Sequence, residues 1–259
     1  MGLLDGKKGL VFGVANDRSI ATHIAHHLID QGATCAFTHL PGDKMERRAR
    51  KAVEAIGVTD PWLVPCDASK DEDLDAVFEK VKSDLDAIDF LVHSIAFADR
   101  TYLQIGNFHE TPRNAYTQAM DISAYTLLAM ARRALPMMPA GGSIIALTYY
   151  GSQKVVPGYN VMGVAKAALE ATARYLAFDL GEKGVRVNTI SAGPVRTLSA
   201  MAVGGIDDMF AHVEKKAPLR RNIEPDEVGK TAVYLVSDLS SGVTGENLYV
   251  DAGYNTVGL

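Results

Sequence analysis

The sequence predicts an α/β fold: one doubly wound, Rossmann-like domain over residues 1–259, its seven-stranded parallel sheet flanked by helices. Three observations carry this reading. Short apolar, β-branched runs alternate with helix-length amphipathic stretches along almost the whole chain. The runs are apolar at successive positions, as in strands covered on both faces. No linker, low-complexity tract or internal repeat interrupts the order.

The expected strands are GLVFGV at 9–14, ATCAFT at 33–38, WLVPC at 62–66, FLVH at 90–93, SIIALT at 143–148, VRVNTI at 185–190 and NLYV at 247–250. Helix-like segments lie between them, at 19–31, 44–56, 71–87, 113–135, 159–181 and 225–237. The stretch 198–210 is rich in Ala, Met and Gly. It reads either as a lid over an apolar ligand, within about 195–215, or as a short packed helix.

Composition narrows the function. With 259 residues, 47% of them hydrophobic, the chain can bury a substantial core. A net charge of -5 and the lack of a long basic run give no reason to expect nucleic acid. Cys35 and Cys66 both sit in apolar, strand-like runs. They have neither disulfide nor metal-ligand spacing, and read as core residues of a reduced protein. The opening MGLLDGKKGLVFG lacks a signal-peptide core, and position 6 is glycine where myristoylation needs Ser or Thr. No apolar run approaches membrane-spanning length. The expectation is a cytoplasmic protein, not bound to a membrane.

In a doubly wound sheet, ligands bind at the carboxyl edge of the strands. The segments expected there are GVANDRSIA, CDAS, HSIAFA, TYYG and SAGPVRT, all rich in small and hydroxylated residues. In the first, Gly13 and Ala15 allow close backbone approach, and Ser19 and Ile20 open a helix whose positive end suits a pyrophosphate. Asp17 would repel a phosphate and is expected to cap that helix. The second strand ends in FTHLPGDK, where Leu40 and Pro41 stand in place of the usual ribose-binding acid. Lys44, Arg47 and Arg48 follow, either to admit a 2′-phosphate or as a solvated helix face. Asp67 can accept from an adenine amino group or cap the next helix. His93 reads as a buried structural residue. Gly193 and Pro194 set a turn from which Val195 and Thr197 can reach a nicotinamide carboxamide.

The most telling feature is Tyr159 and Lys166 in YNVMGVAK. Seven positions are close to two helical turns, so both side chains are expected on one face. An ammonium beside a phenol should strengthen it as a donor to a carbonyl oxygen that gathers negative charge. Tyr and Lys at such spacing are often only a packed ring and a solvated charge. Here they follow the fifth strand of a dinucleotide-type sheet.

Taken together, these segments resemble the short-chain dehydrogenase/reductase superfamily. The more specific resemblance is to its divergent branch, the bacterial NADH-dependent enoyl-[acyl-carrier-protein] reductases of type II fatty acid synthesis. It rests on GVANDRSIA, CDAS, HSIAFA, TYYG, YNVMGVAK, VRVNTISAGPVRT and SGVTGENLYVDAGY, and spans nearly the whole chain. Commoner members show Tyr-x3-Lys and a T-G-x-x-x-G-x-G loop, both absent here. The resemblance implies that Tyr159 donates to the thioester carbonyl, that Lys166 binds the nicotinamide ribose, and that Tyr149 is the further active-site tyrosine. It places Gly13, Ala15, Ser19, Ile20, Leu40, Asp67, Ala68, Ser94, Ile95, Ala192, Gly193, Pro194, Val195, Thr197, Leu198 and Ser199 at cofactor contacts. Ala98 falls at a substrate contact, and Ala96 stands where a glycine is frequent. NADH is the expected cofactor, with NADPH left open. Acyl carrier protein is the expected partner, with Lys215, Lys216, Arg220 and Arg221 read either as its docking patch or as plain solvated charges, and the assembly is expected to be a homotetramer. Two alternatives stand beside this reading: a carbonyl reductase of the same superfamily, and a non-catalytic dinucleotide sensor.

Overall fold

The computed structural model describes residues 2–198 and 200–258. Seven strands form one parallel sheet: β1 (Lys8–Phe12), β2 (Thr34–His39), β3 (Leu63–Pro65), β4 (Phe90–His93), β5 (Gly142–Thr148), β6 (Val185–Ala192) and β7 (Asn247–Val250). Their order across the sheet is β3-β2-β1-β4-β5-β6-β7, so the winding reverses between β1 and β4. A crevice opens at the carboxyl edge where such a reversal occurs. The described helices are α1 (Ile20–Asp30), α2 (Asp43–Ala55), α3 (Asp71–Leu85), α4 (Arg113–Met120), α5 (Thr126–Ala134), α6 (Asn160–Gly181), α7 (Ile206–Lys216) and α8 (Pro225–Val236).

Two apolar layers explain the unbroken hydrophobic runs. Successive strand residues point to opposite faces. Val11, Val92 and Ile145 therefore pack with Ile24 and Leu28 of α1 and with Val228 and Leu235 of α8. Their neighbours Leu10, Leu91 and Ile144 pack with Leu74 of α3, Leu127 of α5 and Leu169 of α6. Each strand needs apolar side chains in both phases. That is why the pattern in sequence is continuous.

Three departures from the sequence expectation have a local reason. β1 ends at Phe12 because Gly13 turns to a φ of +103°, outside the extended region. The expected helix 113–135 is broken by a π turn at Asp121–Tyr125, with α4 and α5 on either side. α7 is a full helix, where the small residues preceding it obscured its apolar stripe. Ile206, Phe210 and Val213, spaced four and three apart, are its buried residues. A left-handed Gly205 starts it.

Phe90 is fully buried and lies across Gly9 of the adjoining strand, where a Cβ would sit 2.1 Å from the ring. Phe90→Ala would empty that space, with glycine on the other side unable to fill it. The expected cost is about 3–5 kcal/mol. A guanidinium unfolding midpoint equal to that of the wild type would show that the contact contributes little.

Candidate active site

Because the strands are parallel, the segments after β1 to β6 all leave the sheet at one edge. Gly13 was expected to give room to a ligand. Its close neighbour is instead the Ser94 carbonyl, only 2.1 Å from where a Cβ would stand. Ser94 N–H also donates to the Phe12 carbonyl, so the loops after β1 and β4 are held together. Ser19 Oγ accepts from the N–H groups of Ala15 and Asn16, at 3.3 and 3.1 Å, and curls the first loop over the start of α1. Ser19 is the residue at the helix boundary, whereas Asp17, the expected cap, is exposed. Asn16, at 8% exposure, supplies the carbonyl that accepts from the Ser19 N–H and the Thr22 hydroxyl.

The loop after β5 carries Tyr149, and its ring meets that of Tyr159 edge-on, with centroids 4.8 Å apart and planes at 71°. Tyr159 does not stand inside α6 as its spacing from Lys166 suggested. It precedes the helix, and Asn160 makes the bend with a φ of +44°. The Asn160 amide secures this unfavourable conformation by donating to the carbonyls of Tyr102 and Gln104, both at 2.8 Å. Two glycines make the space: a Cβ at Gly151 would lie 2.5 Å from the Tyr159 ring, and one at Gly163 would lie 2.6 Å from the Gly151 carbonyl.

Lys166 is buried in α6, and its Nζ donates to the Leu147 carbonyl of β5 at 2.7 Å. Burial lowers its pKa to about 8, against the pull of Glu170. The Tyr159 hydroxyl is driven the other way. Its desolvation, followed by Tyr149 and Glu170, raises its pKa well above the usual tyrosine range. Lys166 is not among the groups that shift it, so the ammonium-assisted phenol expected from the sequence is not found, and Tyr159 is a firmly protonated donor. Tyr149 is likewise raised, first by desolvation, and its hydroxyl donates to Met209 Sδ of α7 at 3.0 Å.

Glu170 was missed in the sequence, although its place four residues after Lys166 puts it on the same helix face. This buried carboxylate accepts from Thr148 Oγ1 at 2.7 Å, from Gln153 Nε2 at 3.4 Å and from the Ser152 hydroxyl. The serine available to the carbonyl-reductase reading is therefore committed to Glu170. His93 is fully buried, as expected. Thr126 Oγ1 donates to the Ile122 carbonyl, so the 2.8 Å contact requires His93 Nε2–H to donate to Thr126. Nδ1 is then the unprotonated nitrogen, and no partner faces it among the described residues. The π turn also aims Ser123 at the loop after β4, where its hydroxyl bonds both the N–H and the carbonyl of Phe97.

The other expected positions are distributed along the same edge. Leu40 is 61% exposed after β2, and Lys44, Arg47 and Arg48 lie on the exposed side of α2. Asp67 is occupied in a turn with Ser69, whose N–H and hydroxyl it accepts, and Ala68 is buried. Ile95 packs beneath the β4 loop, and Ala98 packs with Tyr159 against Leu103, Val161 and Met162. Ala192 ends β6; Gly193, Pro194 and Val195 follow it into the interior. Thr197 Oγ1 accepts from the Ala200 N–H, Leu198 is exposed, and Ser199 lies outside the described residues. Arg196 meets Asp207 at 3.0 Å and stacks over the Phe210 ring at 4.4 Å, which joins this segment to α7. In the expected docking patch, Arg221 is taken up by Glu227 through two 2.7 Å bonds.

Residues 13–255 match the model of a family described as enoyl-(acyl carrier protein) reductase. The chain belongs to this family. It is 50% identical over 258 residues to the enoyl-[acyl-carrier-protein] reductase [NADH] of Synechocystis sp., covering 99% of both chains. An NADPH-designated reductase of Staphylococcus aureus is 47% identical, with 98% of each chain covered. Among solved structures, the Bacillus cereus enoyl-acyl carrier protein reductase with NADP+ and indole naphthyridinone superposes with a TM-score of 0.96, at 49% identity over all of both chains. The Anaplasma phagocytophilum reductase in complex with NAD gives 0.94 at 45% identity, covering 100% of this chain and 97% of that one.

Burial lowers the His93 pKa to about 3, with Lys166 adding to the effect. Between that value and the ordinary histidine pKa near 6.5, the unfolded chain binds the extra proton and the folded chain does not. The contribution of His93 to stability is therefore intact above about pH 6.5 and is lost progressively toward pH 3. His93→Gln should flatten that part of the melting temperature–pH curve. Curves of equal slope for wild type and variant would refute the assignment.

Proposed function

We propose that the chain reduces the trans-2 double bond of enoyl-[acyl-carrier-protein] thioesters with NADH, in type II fatty acid biosynthesis. The observation that carries this reading is the Tyr149–Tyr159 pair at the carboxyl edge, with a buried Lys166 in the helix that follows, in a member of the enoyl reductase family.

The residues present fit a nicotinamide dinucleotide. The first loop presents the start of α1, where backbone N–H groups lack intrahelical acceptors and favour a pyrophosphate. Lys166 uses one of its three donors on Leu147, leaving two for ribose hydroxyls. The exposed Leu40 at the end of β2 brings no carboxylate to discriminate against a 2′-phosphate. NADPH is accordingly the second candidate, and relatives of both designations are similar to this chain.

A bound reduced nicotinamide supplies the hydride that the β-carbon accepts. Negative charge then gathers on the thioester carbonyl oxygen, and a proton delivered to the α-carbon from Tyr159, Tyr149 or water completes the reduction. Tyr159 donates a hydrogen bond at that oxygen, and an interaction that strengthens as charge builds lowers the barrier. Its raised pKa keeps the proton on the phenol at neutral pH. Tyr149 flanks Tyr159 on the side covered by α7, with Met209 over its hydroxyl. Residues 195–215 act as the lid, through the Arg196–Asp207 pair and the Met209 contact, and exclude water from the site. Ala98, with Leu103 and Met162, forms an apolar wall for the acyl chain.

Acyl carrier protein presents the substrate, and Lys215, Lys216 and Arg220 remain for its acidic surface, since Arg221 is paired. The assembly is a homotetramer in this reading. Tyr175 and Phe178 on α6, 76% and 84% exposed, support it with Tyr125 and Leu128, as an apolar face that association would cover. A cytoplasmic location is part of the same proposal. No described helix is long and apolar enough to cross a membrane.

The test follows NADH, and separately NADPH, with a trans-2-enoyl thioester. Enoyl-dependent oxidation is expected. Tyr159→Phe should lower turnover roughly a hundred- to a thousandfold while cofactor affinity holds, whereas Lys166→Ala should weaken cofactor binding as well. Turnover should fall above about pH 8, as Lys166 loses its proton. Reduction of saturated ketones without enoyl activity would return the chain to the carbonyl-reductase reading.

A further inference from the structure

One face of α1 takes no part in the proposed reaction. It carries His23, His26 and His27, in the segment HIAHH, with Asp30 one turn beyond. α8 packs against this helix and places Asp226, in its first turn, among the imidazoles. Asp226 Oδ1 lies 2.9 Å from His23 Nδ1 and 3.2 Å from His27 Nε2. The rings of His26 and His27 are 5.4 Å apart. One ligand atom each from His26, His27 and Asp226 fall within 4.8 Å of one another.

The approach of the two helices depends on a missing side chain. A Cβ at Gly229 would stand 2.5 Å from His27 Cδ2 and 2.8 Å from the His23 carbonyl. Glycine there seats the His27 ring against α8, directly beside Asp226.

Hydrogen bonding alone leaves this cluster poorly matched. Two imidazoles share a single carboxylate oxygen, and His26 has only a 3.4 Å contact with the exposed Asp30. A metal ion answers the surplus of ligand atoms. We propose that His26, His27 and Asp226, with His23 as a further ligand, bind a divalent transition-metal ion of the Zn2+ type and so join α1 to α8.

Imidazole nitrogen with one carboxylate oxygen suits Zn2+, Co2+ or Ni2+, whereas Mg2+ and Ca2+ require oxygen-rich sets. Bonds of about 2.0–2.2 Å around one ion need ligand atoms nearer together than 4.8 Å. Small rotamer changes close that gap, because all four side chains are partly solvent-exposed. Asp30, beside His26, is placed to orient that ring as an outer partner. Both cysteines are buried, so no accessible thiolate among the described residues competes for the ion.

The full-length protein, stripped with EDTA, is titrated with Zn2+ by calorimetry and with Co2+ by visible absorbance. The proposal expects one ion per chain, Co2+ bands of a four-coordinate nitrogen–oxygen site, and no displacement by excess Mg2+. His26→Gln, at a solvent-facing ring, and Asp226→Asn should each weaken binding by about tenfold or more. Zn2+ should raise the melting temperature of the wild type and not that of Asp226→Asn, while melting in EDTA establishes that both variants are folded. Absent Zn2+ binding in the wild type would overturn the site. So would unchanged affinity and stoichiometry in a folded His26→Gln/His27→Gln variant.

Discussion

The 2.7 Å bond from Lys166 to the Leu147 carbonyl is the constraint on which the site depends. It crosses from α6 to β5 and fixes the helix against the strand that delivers Tyr149 to the carboxyl edge. Tyr159 hangs from the other end of that arrangement, one residue ahead of α6. With the strand, the helix and the two rings tied together, the phenols meet edge-on without a direct bond between their hydroxyls. An aromatic contact of this geometry is favourable in its own right, by about 0.5–1.5 kcal/mol beyond the buried area.

The same bond requires an ammonium in the interior, which is costly unless it is compensated. Glu170 provides the opposite charge, and the hydroxyls of Thr148 and Ser152 satisfy the carboxylate in turn. His93 remains uncharged nearby, first because of its burial and then because of the Lys166 charge. Each buried group is held by its own hydrogen bonds: Lys166 by the Leu147 carbonyl, Glu170 by Thr148, Ser152 and Gln153, and His93 by Thr126. Groups fixed in this way are rigid, and rigidity is what a site needs to hold donors ready for charge that appears only during reaction.

The sheet was legible because covering both faces demands apolar side chains in both phases, and runs such as SIIALT and FLVH have no other ready explanation. β4 and β7 fall where their sequences place them, and the remaining strands shift by a residue or two at their ends. The candidate site was legible as a set of loops at one edge of the sheet. Its fine geometry was not. The left-handed bend at Asn160 is set by carbonyls more than fifty positions away, at Tyr102 and Gln104. Ser19 displaces Asp17 at the helix boundary because its hydroxyl reaches the two N–H groups of the preceding loop. Glu170 looked like an ordinary helix charge until β5 placed Thr148 against it. These are tertiary contacts, and no local pattern reports them.

The π turn at Asp121–Tyr125 sets the phase between two stretches of what would otherwise be one helix. It accommodates an extra residue, so the segment beyond it is rotated relative to an uninterrupted spiral. Ser123 and Thr126 can then both face the loop and strand of β4, while Leu127 and Met130 still point into the core. Straightening the turn into regular helix at unchanged length would rotate α5 by about 100° around its axis. Polar and apolar positions would exchange directions together, so the wider turn serves the core and the carboxyl edge of the sheet at once.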